Sequence, residues 1–108
     1  MRIAVLAAVA AIALSPLAAN AADDKAAEAL AKDSNCFKCH SVSKKKEGPS
    51  YKEVAEKYKG NPEAQAKLFA HVTTQPTVKI DGKEEKHEKV KSDNPAEINN
   101  LIEWILSR

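Results

Sequence analysis

The clearest pattern of apolar and polar positions lies at the carboxyl end of the chain. Apolar residues recur there at the spacing of one helix face, with a tryptophan beside them: Ile98, Leu101, Ile102, Trp104 and Ile105. Asn94 and Pro95 come just before this run. A capping side chain followed by proline at the first helical position favours helix initiation. The pattern therefore predicts a last helix with one strongly apolar face.

A second stripe with helical spacing follows Ser50, and its members are Tyr51, Val54, Ala55 and Tyr58. Ser50 and Glu53 have the spacing of a capping box, in which each residue satisfies a free N–H group of the other. Gly60 provides a stop signal, because glycine tolerates the left-handed conformation that ends many helices. We expect a helix that begins after Ser50 and ends before Gly60.

Two further helices are predicted, one on each side of this second helix. Residues 22–34 form the first, with Asp23 and Asp24 at its amino end and a small apolar face of Ala26, Ala27 and Leu30. Residues 61–73 form the other: Asn61 is its predicted cap and Pro62 its first residue, and its inner face is Ala64, Leu68 and Val72. Four helices, without a substantial sheet, predict an all-α fold.

Residues 77–91 do not follow the helical pattern. Asp81-Gly82 stands between short alternating runs, and this dipeptide is a turn signal for a β-hairpin. The high density of charged residues places the segment at the surface. It contains one histidine, His87.

The amino end reads as a targeting signal. Arg2 precedes an apolar stretch, residues 3–14, and Ala19 and Ala21 form a small-x-small cleavage site. We expect residues 1–21 to be a secretory signal peptide, with an uncleaved anchor as the alternative, and residues 22–108 to be a single domain in the bacterial periplasm. The apolar stretch is too short for stable membrane insertion.

The charge balance excludes one class of partner. Lys and Arg number 17 and Asp and Glu 15, so the formal net charge is +2. No strong basic field is available to attract nucleic acid. The local cluster Lys44, Lys45 and Lys46 is either a solvated loop or, with Lys38, a docking site for an acidic partner.

The candidate chemistry lies at residues 36–40, which have the pattern C-x-x-C-H. This is the attachment motif of c-type haem: two thiols on one helical turn form thioether bonds, and the following histidine is the first axial ligand. Cys36, Cys39 and His40 take these roles. The motif alone leaves three alternatives: a redox-active disulfide, half of a Cys2His2 zinc site, and a structural disulfide.

More of the chain supports haem. Residues 36–40, then 48–55, then Tyr58, and finally residues 101–106 resemble the small bacterial class I cytochromes c of the c-551/c-552 type, in their order and approximate spacing. The resemblance implies a class I cytochrome c fold, with about four helices wrapped around one covalent haem c and with the first and last helices crossing. It also implies that the backbone carbonyl of Pro49 accepts a hydrogen bond from the ring of His40.

One departure from the family concerns the second axial ligand. The family normally supplies a methionine from a loop before the last helix, whereas the only methionine here is Met1, in the predicted signal peptide. His87 lies within about one residue of the family's methionine, counted back from Trp104, and we predict it as the distal ligand. The alternatives are His71, a lysine such as Lys86 or Lys89, and an open or water-bound iron. The helical pattern places His71 off the inner face, toward solvent.

The resemblance implies an electron-transfer protein, not an enzyme, that exchanges electrons with a redox protein donor and acceptor. We expect a monomer or a loosely associated subunit, with a lower midpoint potential than relatives that have histidine and methionine ligands. The alternative is a haem protein that senses or binds a ligand at an open or displaceable sixth position. In that case His87, on a charged loop, would swing away from the iron.

Overall fold

The computed structural model describes residues 22–108, so the predicted signal peptide lies outside the described residues. This part of the chain has five helices and one two-stranded sheet: α1 Asp24–Asp33, α2 Cys36–Cys39, α3 Tyr51–Tyr58, α4 Ala64–Thr73, β1 Thr77–Ile80, β2 Lys83–Lys86 and α5 Pro95–Leu106. The mostly helical fold confirms the predicted class. None of the helices in residues 22–108 is long and apolar enough to cross a membrane.

Helix α5 is the centre of the core. All five residues of its predicted apolar face are buried: Ile98, Leu101, Ile102, Trp104 and Ile105. The side chain of Asn94 accepts a hydrogen bond from the Ala96 amide, and Pro95 begins the helix, as the sequence predicted. Helix α5 packs against α1, α3 and α4. Burying each large apolar side chain contributes about 1.5–3 kcal/mol, so this helix organises the fold.

Helix α1 crosses α5 through small side chains. Ala27 and Ala31 are completely buried at this contact, which lets the two backbones approach closely. Asn100 joins the helices at the edge of the contact. Its side chain accepts a hydrogen bond from the Asp23 amide at 2.8 Å and donates one to the Asp23 carbonyl at 3.0 Å. The first helix is therefore held to the last one by packing and by a paired amide contact.

The starts of α3 and α4 differ in how well they were predicted. The Ser50 hydroxyl accepts a hydrogen bond from the Glu53 amide at 3.1 Å, so Ser50 is confirmed as the cap of α3. Within residues 22–108, the reciprocal contact of the predicted capping box, from the Ser50 amide to the Glu53 side chain, is not formed. Helix α4 begins at Ala64, later than predicted. The Asn61 side chain accepts from the Glu63 amide, but this contact closes a separate turn ahead of the helix.

The predicted hairpin is present. Strands β1 and β2 pair antiparallel, from Thr77 opposite Lys86 to Ile80 opposite Lys83. Asp81 and Gly82 form the turn, with φ angles of 51° and 77°, as a two-residue hairpin connection requires. Beyond the strands, the His87 amide donates a hydrogen bond to the Pro76 carbonyl at 2.8 Å. The hairpin thus leaves and rejoins the fold at one point, and His87 lies at its base.

Candidate functional site

The two cysteines lie on a short helical turn of their own. Helix α1 ends at Asp33, and Asn35 adopts a left-handed conformation with φ of 59° that redirects the chain into α2. Cys36 and Cys39 are half-buried free thiols, not a disulfide. Burial raises the pKa of the Cys36 thiol, and burial together with the Glu47 carboxylate raises that of Cys39. Both sulfurs are therefore kept as neutral thiols on one turn.

His40 follows this turn directly and is held by a carbonyl group. Its Nδ1 atom lies 2.7 Å from the Pro49 carbonyl oxygen, the pair of groups named from the resemblance. An Nδ1–H that donates to this oxygen leaves Nε2 without a proton and with its lone pair free. A hydrogen bond from the ring nitrogen that does not bind the metal is a common way to fix the tautomer and orientation of a metal-binding histidine.

Gly48 makes this position of His40 possible. A Cβ atom added at residue 48 would lie 2.6 Å from Cε1 and 2.9 Å from Nδ1 of the His40 ring, closer than carbon and nitrogen atoms can approach. The Gly48 amide also donates to the Cys39 carbonyl at 2.8 Å. The position of this glycine directly before Pro49, shortly after the motif histidine, is the signal of the close contact that the sequence offers.

Aromatic rings form the wall behind His40. The Tyr51 ring stacks on the His40 ring, with centroids 5.2 Å apart and planes inclined by 21°. Trp104 meets Tyr51 edge-on at 5.6 Å, and Phe37 meets Trp104 at 6.3 Å. Burial raises the pKa of Tyr51 far above its ordinary value. The first axial candidate is therefore packed against the core that α5 builds, a contact that spacing in the sequence does not reveal.

His87 faces His40 from the base of the hairpin. The two ring centroids are 6.2 Å apart, with planes inclined by 47°. Nδ1 of His87 lies 2.8 Å from the Glu88 carbonyl oxygen, so this ring also presents Nε2 as its free nitrogen when Nδ1 carries the proton. Burial lowers the pKa of His87, which favours the neutral imidazole that a metal requires. The structure brings the two predicted axial residues together, while the ligation itself stays a prediction.

His71 is not placed as predicted. Its ring is half-buried and contacts the His87 ring edge-on, with centroids 4.4 Å apart. The solvent-facing position expected from the helical pattern was wrong, because the chain returns across the end of α4 after the hairpin. Burial, and next to it the positive charge that His87 acquires on protonation, lowers the pKa of His71.

The basic loop has a partly structural role. Lys46 donates to the Phe37 carbonyl at 2.7 Å and so ties residues 41–49 to the turn of α2. Glu47 lies on the same side, with a carboxylate oxygen 3.3 Å from the Cys39 sulfur. Lys38, Lys44 and Lys45 are exposed nearby. Within residues 22–108, the side chains of these three lysines form no hydrogen bond or salt bridge, so this part of the predicted docking site has no structural role of the kind that Lys46 has.

Comparison with known families identifies the fold. The family model described as Cytochrome c matches residues 24–108. This chain belongs to the cytochrome c family. The resemblance inferred from residues 36–40, 48–55, Tyr58 and residues 101–106 is thus confirmed. Family membership and the C-x-x-C-H motif assign one covalent haem c to the chain, with Cys36 and Cys39 available for it.

Solved structures agree with the family. The class 1 cytochrome MtoD from Sideroxydans lithotrophicus ES-1 is 53% identical, with a TM-score of 0.77 over 81% of this chain and 97% of that one. Cytochrome c552 of Nitrosomonas europaea is 28% identical, with a TM-score of 0.58 over 74% of this chain and 96% of that one. The class I cytochrome c fold is therefore confirmed.

Curated relatives give the same family over different lengths. Cytochrome c2 of Rhodocyclus tenuis is 34% identical over 87 residues, which cover 73% of this chain and 88% of that protein. Cytochrome c-551 of Allochromatium vinosum is 51% identical over 43 residues, 40% of this chain and 46% of that protein. The latter match spans just under half of its relative. The chain is a monohaem cytochrome c, from a family of electron-transfer proteins.

The arrangement of residues fits a haem group. Taking about 2.0 Å for a metal–imidazole bond, two histidines on opposite sides of one ion have ring centres roughly 6 Å apart. The separation of 6.2 Å between His40 and His87 agrees with this value. The residues that would hold the group are Cys36 and Cys39 by their sulfurs and His40 and His87 by Nε2.

Proposed function

We propose that this protein is a periplasmic electron carrier whose haem iron is ligated by His40 and His87. The observation that carries the proposal is the pair of rings with centroids 6.2 Å apart, each with Nδ1 beside a backbone carbonyl oxygen, which leaves Nε2 as the nitrogen available to a metal. Two ligands prepared in this way favour a six-coordinate iron. Haem c supplies the one-electron chemistry, by alternating between the ferric and ferrous states.

The residues around the site favour little rearrangement on electron transfer. His40 is stacked on Tyr51 and positioned by Pro49. The backbone of His87 is tied to Pro76, at the base of the hairpin. Ligands that stay in place in both oxidation states keep the reorganisation energy small. This anchoring also supports permanent ligation over the alternative in which His87 swings away to admit a ligand.

The second imidazole sets the direction of the midpoint potential. A methionine thioether favours ferrous iron, and its replacement by imidazole removes that preference. We therefore expect a potential clearly below that of relatives with histidine and methionine ligands. A redox titration of the mature protein beside His87→Met measures this effect, with the variant expected at the higher potential. A wild-type value equal to or above that of the variant would contradict ligation by two histidines.

The location and the partners belong to the same proposal. The predicted signal peptide supports export, and c-type haem is attached outside the bacterial cytoplasm. Lys38, Lys44 and Lys45 form an exposed basic edge beside the cysteine turn. We expect an acidic redox protein to dock there, with an association rate that falls as salt is added.

The first experiment is spectroscopic. EPR and near-infrared spectra of the ferric mature protein are recorded beside those of His87→Ala. A low-spin signal from two imidazoles that is lost in the variant supports the proposal. A high-spin signal in both proteins would overturn it in favour of an open sixth position, and binding of CO to the ferrous wild-type protein would then test the ligand-binding alternative.

A further inference from the structure

The third histidine of the chain has no role in the ligation proposed above. His71 lies in the last turn of α4, and its ring contacts His87 edge-on with centroids 4.4 Å apart. His87 thus has two imidazole neighbours, the other being His40 with its ring centroid at 6.2 Å. In residues 22–108, no hydrogen bond joins the His71 and His87 rings, so the contact is one of packing.

The His87 ring needs such a contact to have a single orientation. The torsion that turns an imidazole about its bond to Cβ has a broad, roughly two-fold preference, so the side chain alone does not define the ring plane. The contact of Nδ1 with the Glu88 carbonyl restrains one edge of the ring. That carbonyl belongs to the neighbouring residue, in the exposed segment after β2. A second restraint from a different element is required for a fixed plane.

Helix α4 supplies that restraint. The segment around His87 is bonded to this helix and to the residues just after it. The Val90 amide donates to the Val72 carbonyl in the helix at 2.9 Å, and the His87 amide donates at 2.8 Å to Pro76, which lies between the helix and β1. His71 is next to Val72, and its ring is half-buried. The contacting ring is therefore carried by the helix to which the segment that follows His87 is bonded.

We propose that His71 is a positioning residue that holds the plane of the His87 ring and so sets the angle between the two axial imidazoles. This inference rests on the proposed ligation by His40 and His87. In the structure the two planes are inclined by 47°. The relative orientation of the axial ligand planes contributes to the splitting of the d orbitals of low-spin ferric iron, so the g values of the EPR spectrum change when this angle changes.

The test compares EPR spectra of the ferric mature protein and three variants. In His71→Ala the ring edge is lost, and we expect the iron to stay low-spin while its largest g value shifts and the signal broadens. In His71→Phe a ring edge remains, so the g values should stay near those of wild type. Lys67→Ala is the matched control, because this residue is exposed on the same helix and pairs only with Glu63 at the surface; no shift is expected.

Each outcome separates this inference from the function proposed above. Superimposable spectra of wild type and His71→Ala, with a high-spin His87→Ala, would overturn the positioning role and leave the ligation standing. A shift in His71→Phe as large as that in His71→Ala would also overturn it, because packing of a ring would not be what matters. A high-spin His71→Ala beside a low-spin His87→Ala would make His71 the ligand and overturn both. Far-ultraviolet circular dichroism checks folding, and His71→Leu replaces His71→Ala if that variant does not fold.

Discussion

At the scale of single residues, the position of the His40 ring depends on the missing side chain of Gly48 as much as on the residues that contact the ring. His40 reaches Pro49 only because residue 48 has no side chain, and its ring then lies flat against Tyr51. The cysteine motif names the reactive groups, but Gly48 and Tyr51 determine where the histidine ring points. The residues that position the His40 ring are therefore different from the residues of the motif that would bind the haem group.

Replacing Gly48 with alanine is expected to disturb the haem site. The new methyl group would meet the His40 ring at 2.6 Å, and relief of such overpacking costs about 1–3 kcal/mol. We expect a lower free energy of unfolding and an altered haem absorption spectrum, measured by thermal melting and visible spectroscopy.

Gly60→Ala is the matched control for this change. Gly60 has a positive φ of 74° and nothing within 4 Å of an added Cβ. The left-handed conformation costs a non-glycine residue about 1–2 kcal/mol, so stability should fall without any spectral change. Equal spectral effects in the two variants would contradict a specific contact between residue 48 and His40.

At the scale of elements, the helix ends and the hairpin have separable functions. Helix α3 begins where the Ser50 hydroxyl satisfies a free amide, and this start places Tyr51 against His40. The hairpin pairs mainly with itself, because β1 and β2 contact each other far more than they contact the helices. Helix α3 therefore orients the site, whereas the hairpin leaves the helical part of the fold and returns to it beside the site.

Removing the cap of α3 should destabilise the protein measurably. In Ser50→Ala the Glu53 amide loses its acceptor, and loss of such a cap costs about 1 kcal/mol. Chemical denaturation of the mature protein measures the change. Asn61→Ala is the control, since Asn61 closes a turn and not a helix; an effect as large as that of Ser50→Ala would show that capping is not the cause.

Shortening the hairpin is expected to leave His87 in place. The hydrogen bond from the His87 amide to the Pro76 carbonyl closes the base of the hairpin and involves no residue of the hairpin tip. Replacing residues 78–85 by an Asn-Gly turn should therefore preserve the low-spin EPR signal and the midpoint potential. Conversion to a high-spin iron would mean that the strands themselves hold the distal ligand.

At the scale of the whole molecule, the first and last helices of the described residues, α1 and α5, pack against each other and close the fold. Ala27 and Ala31 lie at the crossing with α5, and Leu101 and Ile102 of that helix are completely buried. The same helix contributes Trp104 to the aromatic wall behind the site. The stability of the fold and the geometry of the haem site are therefore coupled through one helix.

A larger side chain at the contact between α1 and α5 should push these two helices apart. Ala27→Leu adds methylene groups where Ala27 is completely buried, and overpacking of this kind costs about 1–3 kcal/mol. Denaturant unfolding of the mature protein measures the loss. Ala29→Leu on the exposed face of the same helix should change stability by less than about 0.5 kcal/mol. Equal losses would contradict close packing at Ala27.

Much of the architecture was predictable because the responsible interactions are local. Helical spacing predicted the buried face of α5, and short-range caps predicted the starts of α3 and α5. The Asp81-Gly82 pair predicted the hairpin turn. In each case the deciding contact joins residues a few positions apart, so its pattern can be read along the chain.

The candidate site was predictable only in part. The cysteine motif is local, and so are the roles it indicates for Cys36, Cys39 and His40. The start of α4 was wrong by a few residues, because Asn61 can cap a turn as well as a helix. The position of His71 was wrong, because helical spacing describes the face of one helix and not the segment that returns across its end.

The sequence by itself determined the haem attachment motif, the presence of four of the five helices in residues 22–108 and the lack of a methionine there. Only the tertiary structure decided that His87 faces His40, that His71 packs on His87, and that Gly48 admits the His40 ring. The physical reason is distance along the chain. His40 and His87 are brought to 6.2 Å by the packing of α5 and the closure of the hairpin base, and no local pattern encodes that approach.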